Sequence, residues 1–299
     1  MSIQRYRSQV ELLLAALPEI ARESCFALHG GTAINMFVRN MPRLSVDIDL
    51  TYLPVETRDR SLVQIENALG RIKERILKVV PGCQVTHLRR EAKLMISSAR
   101  GIIKVEVNLI KRGCLAPPRK LNLCERAQTE FGAYGEVQVV DDGHLFGGKI
   151  CAALDRQHPR DLFDIRQLLD LGGITADIRR GFLFYLVSSN RTIEELLAPA
   201  LKDQRSAFEN QFSGMTLEPF EYEGFEHTRL ELIRVINSVL TKADREFLLS
   251  MESGDPDWGI HDFQAFPAVQ WKLKNVRQLQ QDNPLKHKKL CDSLKSRLF

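Results

Sequence analysis

The chain has 299 residues and a mass of 34.1 kDa, with 44% hydrophobic and 27% charged residues, a balance that fits one large or two modest folded domains and excludes wholesale disorder. No apolar run reaches the ~18 residues a membrane-spanning helix needs, and the first apolar stretch is broken by Pro18 and Glu19 without a small-residue cleavage site, so neither a membrane anchor nor a secretory signal is expected. Net charge is +4 and unevenly spread: residues 71–120 hold thirteen Lys/Arg against three acids, and residues 285–299 hold five against one. Basic blocks in an otherwise acidic chain point to a polyanionic partner, RNA or DNA before membrane.

In chain order, Val10, Leu13, Leu14 and Leu17 give helical spacing over residues 3–17. Cys25–Leu28 reads as a strand, His29–Thr32 as a turn, and Ala33–Val38 as a short helix capped by Thr32. Val46–Tyr52 alternates as a strand, and residues 57–79 return to helical period. Three strand-like runs follow, at 84–88, 93–97 and 102–110, with Gly101 turning the chain before the last; 136–140 is a further strand. From about residue 142 nearly every segment is helical, at 144–156, 159–171, 177–188, 225–240, 242–251 and 267–281, with a loop at 252–264. The expected fold is therefore α+β: a mixed α/β domain over 1–141 and a mostly helical domain over 142–299. Six scattered cysteines without a CxxC or a zinc-finger histidine spacing read as reduced thiols of a cytoplasmic protein, with no structural zinc.

The chemistry concentrates in residues 28–53. A strand runs into Gly30-Gly31 and a helix follows, an arrangement whose backbone approaches a ligand closely and whose free N–H groups suit phosphate. Asp47 and Asp49 lie two apart on a strand, so both carboxylates share one face. Such a pair is stable mainly around a hard divalent cation, Mg²⁺ or Mn²⁺, as nucleotidyl transfer requires. Glu106 alternates with Val105 and Val107 and becomes a third metal ligand if its strand neighbours that of Asp47. Further on, Lys149 and Arg156 share one helix face at seven-residue spacing, and Pro159 opens a second helix carrying Asp161 and Asp164. The bland alternatives are a structural glycine turn, a solvent-facing strand edge and ordinary surface ion pairs. GxGxxG, GxxxxGK[ST] and GxSxG motifs are absent, which argues against dinucleotide, P-loop and serine-hydrolase chemistry.

GGTAIN followed by SVDIDL resembles the glycine-turn and hDhDh signature of the DNA polymerase beta-like nucleotidyltransferases. Gly147–Asp164 and Gln270–Asn275 add resemblance to the K-x-x-A…R…R-D-x-x-D and W-K-x-x-N elements of the AbiEii/AbiGii toxin family, which includes the MenT toxins. The resemblance covers roughly residues 25–280. It implies a polymerase-beta-like sheet, a helical domain that completes the active site, and the toxin half of a toxin–antitoxin pair with roles in growth arrest and phage defence. It implies an NTP substrate, a cognate antitoxin and, for MenT-type members, the tRNA 3′ end as acceptor, blocking translation. It implies catalytic roles for Asp47, Asp49, Lys149 and one of Asp161 and Asp164, of which Asp164 sits nearer the buried edge of its helix; the other assignments are metal binding by Asp47, Asp49 and Glu106 and nucleotide binding by Gly30, Gly31, Thr32, Lys149, Arg156 and Asp161. Gly31 stands where the superfamily often has serine, so a hydroxyl contact to phosphate would come from Thr32. In related toxins a serine at the place of Ser45 can be phosphorylated by the antitoxin; the alternative is an ordinary strand-start serine. Two other functions stay open: a nucleotidyltransferase acting on a protein or a small molecule such as an aminoglycoside, and a degenerate, non-catalytic nucleotide-binding module.

Overall fold

The structure, a computed structural model, describes residues 3–299. The chain divides into two compact units: one runs up to Asp141 and also takes Ser206–Phe220, and the other comprises Asp142–Arg205 and Glu221–Phe299. The sequence reading placed all of 142–299 in the helical part, and residues 206–220 differ from it. There the backbone N–H of Leu44 donates to the carbonyl of Met215, that of Leu217 to the carbonyl of Pro42, and Arg43 bridges Thr216. Phe212 and Met215 are buried, and Phe208, Phe212 and Phe220 form a ring cluster.

The first unit is built on a seven-stranded sheet. Its strands are β1 (Phe26–His29), β2 (Asp47–Tyr52), β3 (Gln84–Leu88), β4 (Lys93–Ser98), β5 (Gly101–Val107), β6 (Arg119–Asn122) and β7 (Glu136–Val139), in the order β3-β4-β5-β2-β1-β7-β6. The β1–β7 and β2–β5 pairs are parallel and the others antiparallel. Helices α1 (Ile3–Ala21) and α3 (Arg58–Val79) pack against the sheet and each other. Helix α1 continues through Pro18, which forfeits one backbone hydrogen bond close to the helix end. The segment after Pro118, left irregular by the sequence reading, forms β6 and helix α4 (Glu125–Phe131).

The turn after β1 also differs from expectation. Helix α2 begins at Gly30 (Gly30–Ala33) and widens into a π turn over Ile34–Val38, so His29 and not Thr32 occupies the N-cap position. Thr32 is fully buried inside this helix. Gly30 takes φ +73°, which explains the glycine.

The second unit is helical: α5 (Asp142–Arg156), α6 (Pro159–Asp170), α7 (Ala176–Leu186), α8 (Ile193–Leu197), a short α9 ending at Arg205–Ala207 where the chain returns to the first unit, then α10 (Tyr222–Val239), α11 (Lys242–Glu252), α12 (Pro267–Asp282) and α13 (Pro284–Leu298). Of these, α8, α9 and α13 were not anticipated. Helices α5 and α7 touch backbone to backbone. A Cβ on Gly181 would collide with the carbonyl of Gly143, and one on Gly147 would lie 2.5 Å from the Phe182 nitrogen. This contact fixes the helix that carries Lys149. Gly181→Ala is expected to destabilise the protein by about 3 kcal/mol, because backbone cannot yield as a side chain can; urea unfolding measures it.

Candidate active site

The parallel register of β2 and β5 sets Asp49 opposite Glu106 and Asp47 opposite Lys104. Directly paired residues of parallel strands point to the same side, so Asp47, Asp49 and Glu106 share one sheet face, while Ile48, Leu50, Val105 and Val107 are buried on the other. The neighbouring of strands on which Glu106 depended is present. Lys104 Nζ lies 3.7 Å from Asp47 Oδ2 and 3.6 Å from Glu106 Oε2, and Lys93 Nζ is also 3.6 Å from Glu106. Two ammonium groups thus balance this acidic face.

The glycine turn abuts the same face. A Cβ on Gly30 would collide with Asp49 Oδ2, and one on Gly31 would lie 2.7 Å from Arg43 Nη2 and 3.1 Å from Ser45 Oγ. The Thr32 hydroxyl donates to the backbone carbonyl of Asp47 and lies 2.9 Å from Ser45 Oγ. It therefore ties the turn to β2, and what Thr32 can offer a phosphate is backbone. Ser45 is itself buried. Two residues escaped the sequence reading. Asn35, fully buried, donates from Nδ2 to the Gly31 carbonyl at 2.9 Å. Arg43, 2% exposed, sits behind Gly31 with Nη1 donating to the Leu44 carbonyl. The GGTAIN spacing, four residues from Gly31 to Asn35, was the available signal for the first; nothing local marked the second.

In the second unit, Lys149 is 6% exposed, with Nζ 3.0 Å from Asp161 Oδ1 and 2.9 Å from Asp164 Oδ2. Arg156 Nη2 donates to Asp161 Oδ1 at 3.0 Å from a largely exposed side chain. Burial by itself would raise the Asp161 pKa, but the charges of Lys149 and Arg156 hold it well below the carboxylate range. The chain reverses between α5 and α6 at Gln157, which is buried in a left-handed conformation, φ +53°. Its amide accepts from the Lys202 N–H at 3.0 Å and donates to the Ala200 carbonyl at 2.8 Å, a brace no sequence motif announced. In the Gln270–Asn275 element, Leu273 is buried with Val269 and Val276 beside it, while Trp271 is 52% exposed.

The basic block is largely spoken for. Of its thirteen cations, Arg71 and Arg75 pair with buried Glu23, and Arg89, Lys93, Arg100, Lys104 and Lys120 also make ion pairs. Arg112 is buried. Among the described residues the six cysteines form no disulfide, and burial raises the thiols of Cys25 and Cys114 to about 11 and about 12. Among the described residues no helix is long and apolar enough to cross a membrane.

The nucleotidyl transferase AbiEii toxin family of type IV toxin–antitoxin systems matches residues 12–275, and the chain belongs to this family. It is a nucleotidyltransferase toxin of such a system. Among solved structures it resembles MenT4, a nucleotidyltransferase toxin from Mycobacterium tuberculosis, with a TM-score of 0.62 and 15% identity over 91% of this chain and 94% of that one, a likeness of fold. No curated protein matches the chain in sequence.

Removing the ammonium between Asp161 and Asp164 leaves buried negative charge, so Lys149→Met is expected to lower stability by about 3–5 kcal/mol in urea unfolding. Because the folded-state pKa of Asp161 is depressed, its contribution is complete above the unfolded carboxyl value of about 4 and is lost as pH falls toward the folded value. Stability measured from pH 7 down to pH 3 should therefore decline less steeply in Asp161→Asn than in the wild type.

Proposed function

We propose that this toxin transfers a nucleoside monophosphate from an NTP to an RNA acceptor, the 3′ end of a tRNA, and so blocks translation, in growth arrest and phage defence. The observation that carries the transfer is the shared face of Asp47, Asp49 and Glu106 against the Gly30 turn. That donor set, all carboxylate oxygen, fits a hard divalent cation, Mg²⁺ or Mn²⁺, held by Asp47 and Asp49 with Glu106. Bound there, the ion supplies charge neutralisation and Lewis acidity for an in-line displacement. The backbone at Gly30, Gly31 and Thr32 holds the triphosphate, and Arg43 backs the turn from within. The acceptor hydroxyl forms the new bond to the α-phosphorus as the bond to the leaving pyrophosphate breaks. In the second unit Lys149, held by Asp161 and Asp164 with Arg156 at the rim, is the cation that the family resemblance makes necessary for transfer. The essential acid of this block is assigned to Asp164 from its helical position, and Asp161 is equally engaged with Lys149.

The exposed cations of 285–299 favour an RNA acceptor over a small molecule and leave a protein acceptor as the alternative. The family implies a cognate antitoxin partner. A phosphoryl group on Ser45, beside Gly31 and the start of β2, would repel both the triphosphate and the metal; Ser45 is buried, so modification would require this end of β2 to open first. Incubation with each labelled NTP, Mg²⁺ and total cellular RNA tests the acceptor: label on RNA supports the proposal, label on polypeptide transfers it to a protein target, and no label on either overturns it.

Asp47→Ala is expected to lower transfer by a factor of at least ~10³. Since Asp47 faces Lys104 across a half-exposed pair, the folding change should stay within about 1 kcal/mol. Initial rates and thermal melting check the two halves.

A further inference from the structure

The cationic stretch at the C-terminus forms a helix, and its charges behave unlike those of the first block. Helix α13 carries Lys286, Lys288, Lys289, Lys295 and Arg297 against the single acid Asp292, and every one of these cations is exposed. Among the described residues, none of the five makes an ion pair, whereas the first block gives up more than half of its cations to Glu, Asp or burial. The helix is fixed, not trailing. His287 Nε2 donates to the Glu252 carbonyl at 2.9 Å, Ser293 Oγ donates to Glu194 Oε1 at 2.8 Å, and Arg245 Nη1 donates to the Leu298 carbonyl at 2.6 Å. Leu294 and Leu298 are buried.

Helical periodicity places Lys289 near the middle of the exposed arc, Lys286 and Arg297 along one edge and Lys288 and Lys295 along the other. From Lys286 to Arg297 the helix spans about 16 Å, the length of several nucleotides at ~3.4 Å rise per residue of strand. A membrane surface would instead need an apolar face turned outward, and here Leu294 and Leu298 point into the unit while Leu285 alone among the leucines of the helix is strongly exposed.

Resting on the RNA-acceptor reading above, we propose that α13 is the RNA-docking surface, its lysines and arginine contacting the phosphate backbone and so carrying most of the salt dependence of binding.

The test uses the full chain and total tRNA as probe, with binding followed by fluorescence anisotropy from 50 to 300 mM KCl. In the quadruple variant Lys286→Gln, Lys288→Gln, Lys289→Gln, Arg297→Gln, the slope of log K against log salt should shrink by about two or more and affinity at 150 mM should fall at least ~10-fold. Melting should not change, because the replaced side chains are exposed and unpaired. The KM for RNA in the transfer assay should rise accordingly. An unchanged slope and affinity, with the wild type binding tRNA well, overturns the docking surface alone. So does loss of binding in Lys73→Gln, Lys78→Gln, Arg90→Gln while the α13 variant keeps it. Wild-type protein that neither binds tRNA nor labels it overturns the acceptor reading itself, and retention instead on vesicles of 30% phosphatidylserine in phosphatidylcholine assigns α13 to a membrane.

Discussion

The active face depends on one steric fact: the Asp49 carboxylate occupies the space that a side chain at residue 30 would fill. Only glycine leaves that space, and only glycine takes the backbone angle that turns the chain there without strain. The backbone proposed to hold phosphate and the carboxylate proposed to hold metal are thereby set side by side by the fold itself. Around this contact the support is redundant. Thr32 ties the turn to β2, Asn35 holds the Gly31 carbonyl, and Arg43 fills the space behind. Preorganisation of this kind is what transfer chemistry draws on, since it lowers the barrier chiefly by placing charge and reactants in advance.

The second charged centre follows a different logic. Lys149 is buried between two aspartates, with Arg156 adding a second cation at the rim. An ammonium in such a place gives up hydration, and two carboxylates restore what burial removes. The closeness of α5 and α7, permitted by Gly143, Gly147 and Gly181, makes this wall rigid.

Much of this was legible in the residues. The alternation of Val46–Tyr52 foretold a strand with paired acids, and the pattern of Lys104–Asn108 foretold Glu106 facing away from its valines. What alternation cannot supply is register: that Asp49 meets Glu106 depends on a parallel pairing between strands more than fifty residues apart. Thr32 misled because threonine before an apolar run is a good cap, yet the helix starts three residues sooner and the Thr32 hydroxyl is used to bind β2. Arg43 looked like one more basic loop residue, and its burial arises from contacts distant in sequence. Helix α13 was hidden by its own charge, since only His287, Leu294 and Leu298 betray the buried side. The surplus charge of residues 71–120 was real in the sequence, but acids elsewhere in the chain neutralise much of it on folding.

Residues 206–220 return to the first unit after a long helical excursion, supplying Met215 and Leu217 as backbone partners for Pro42 and Leu44. The sheet and its surroundings are thus not a contiguous stretch of polypeptide. A gene fragment ending at the last strand would encode Asp47, Asp49 and Glu106 and still leave the β2 approach without its backbone partners. Recombination can therefore exchange this toxin's parts only by moving the two stretches together, and a ribosome must finish residue 220 before the first body has all its pieces.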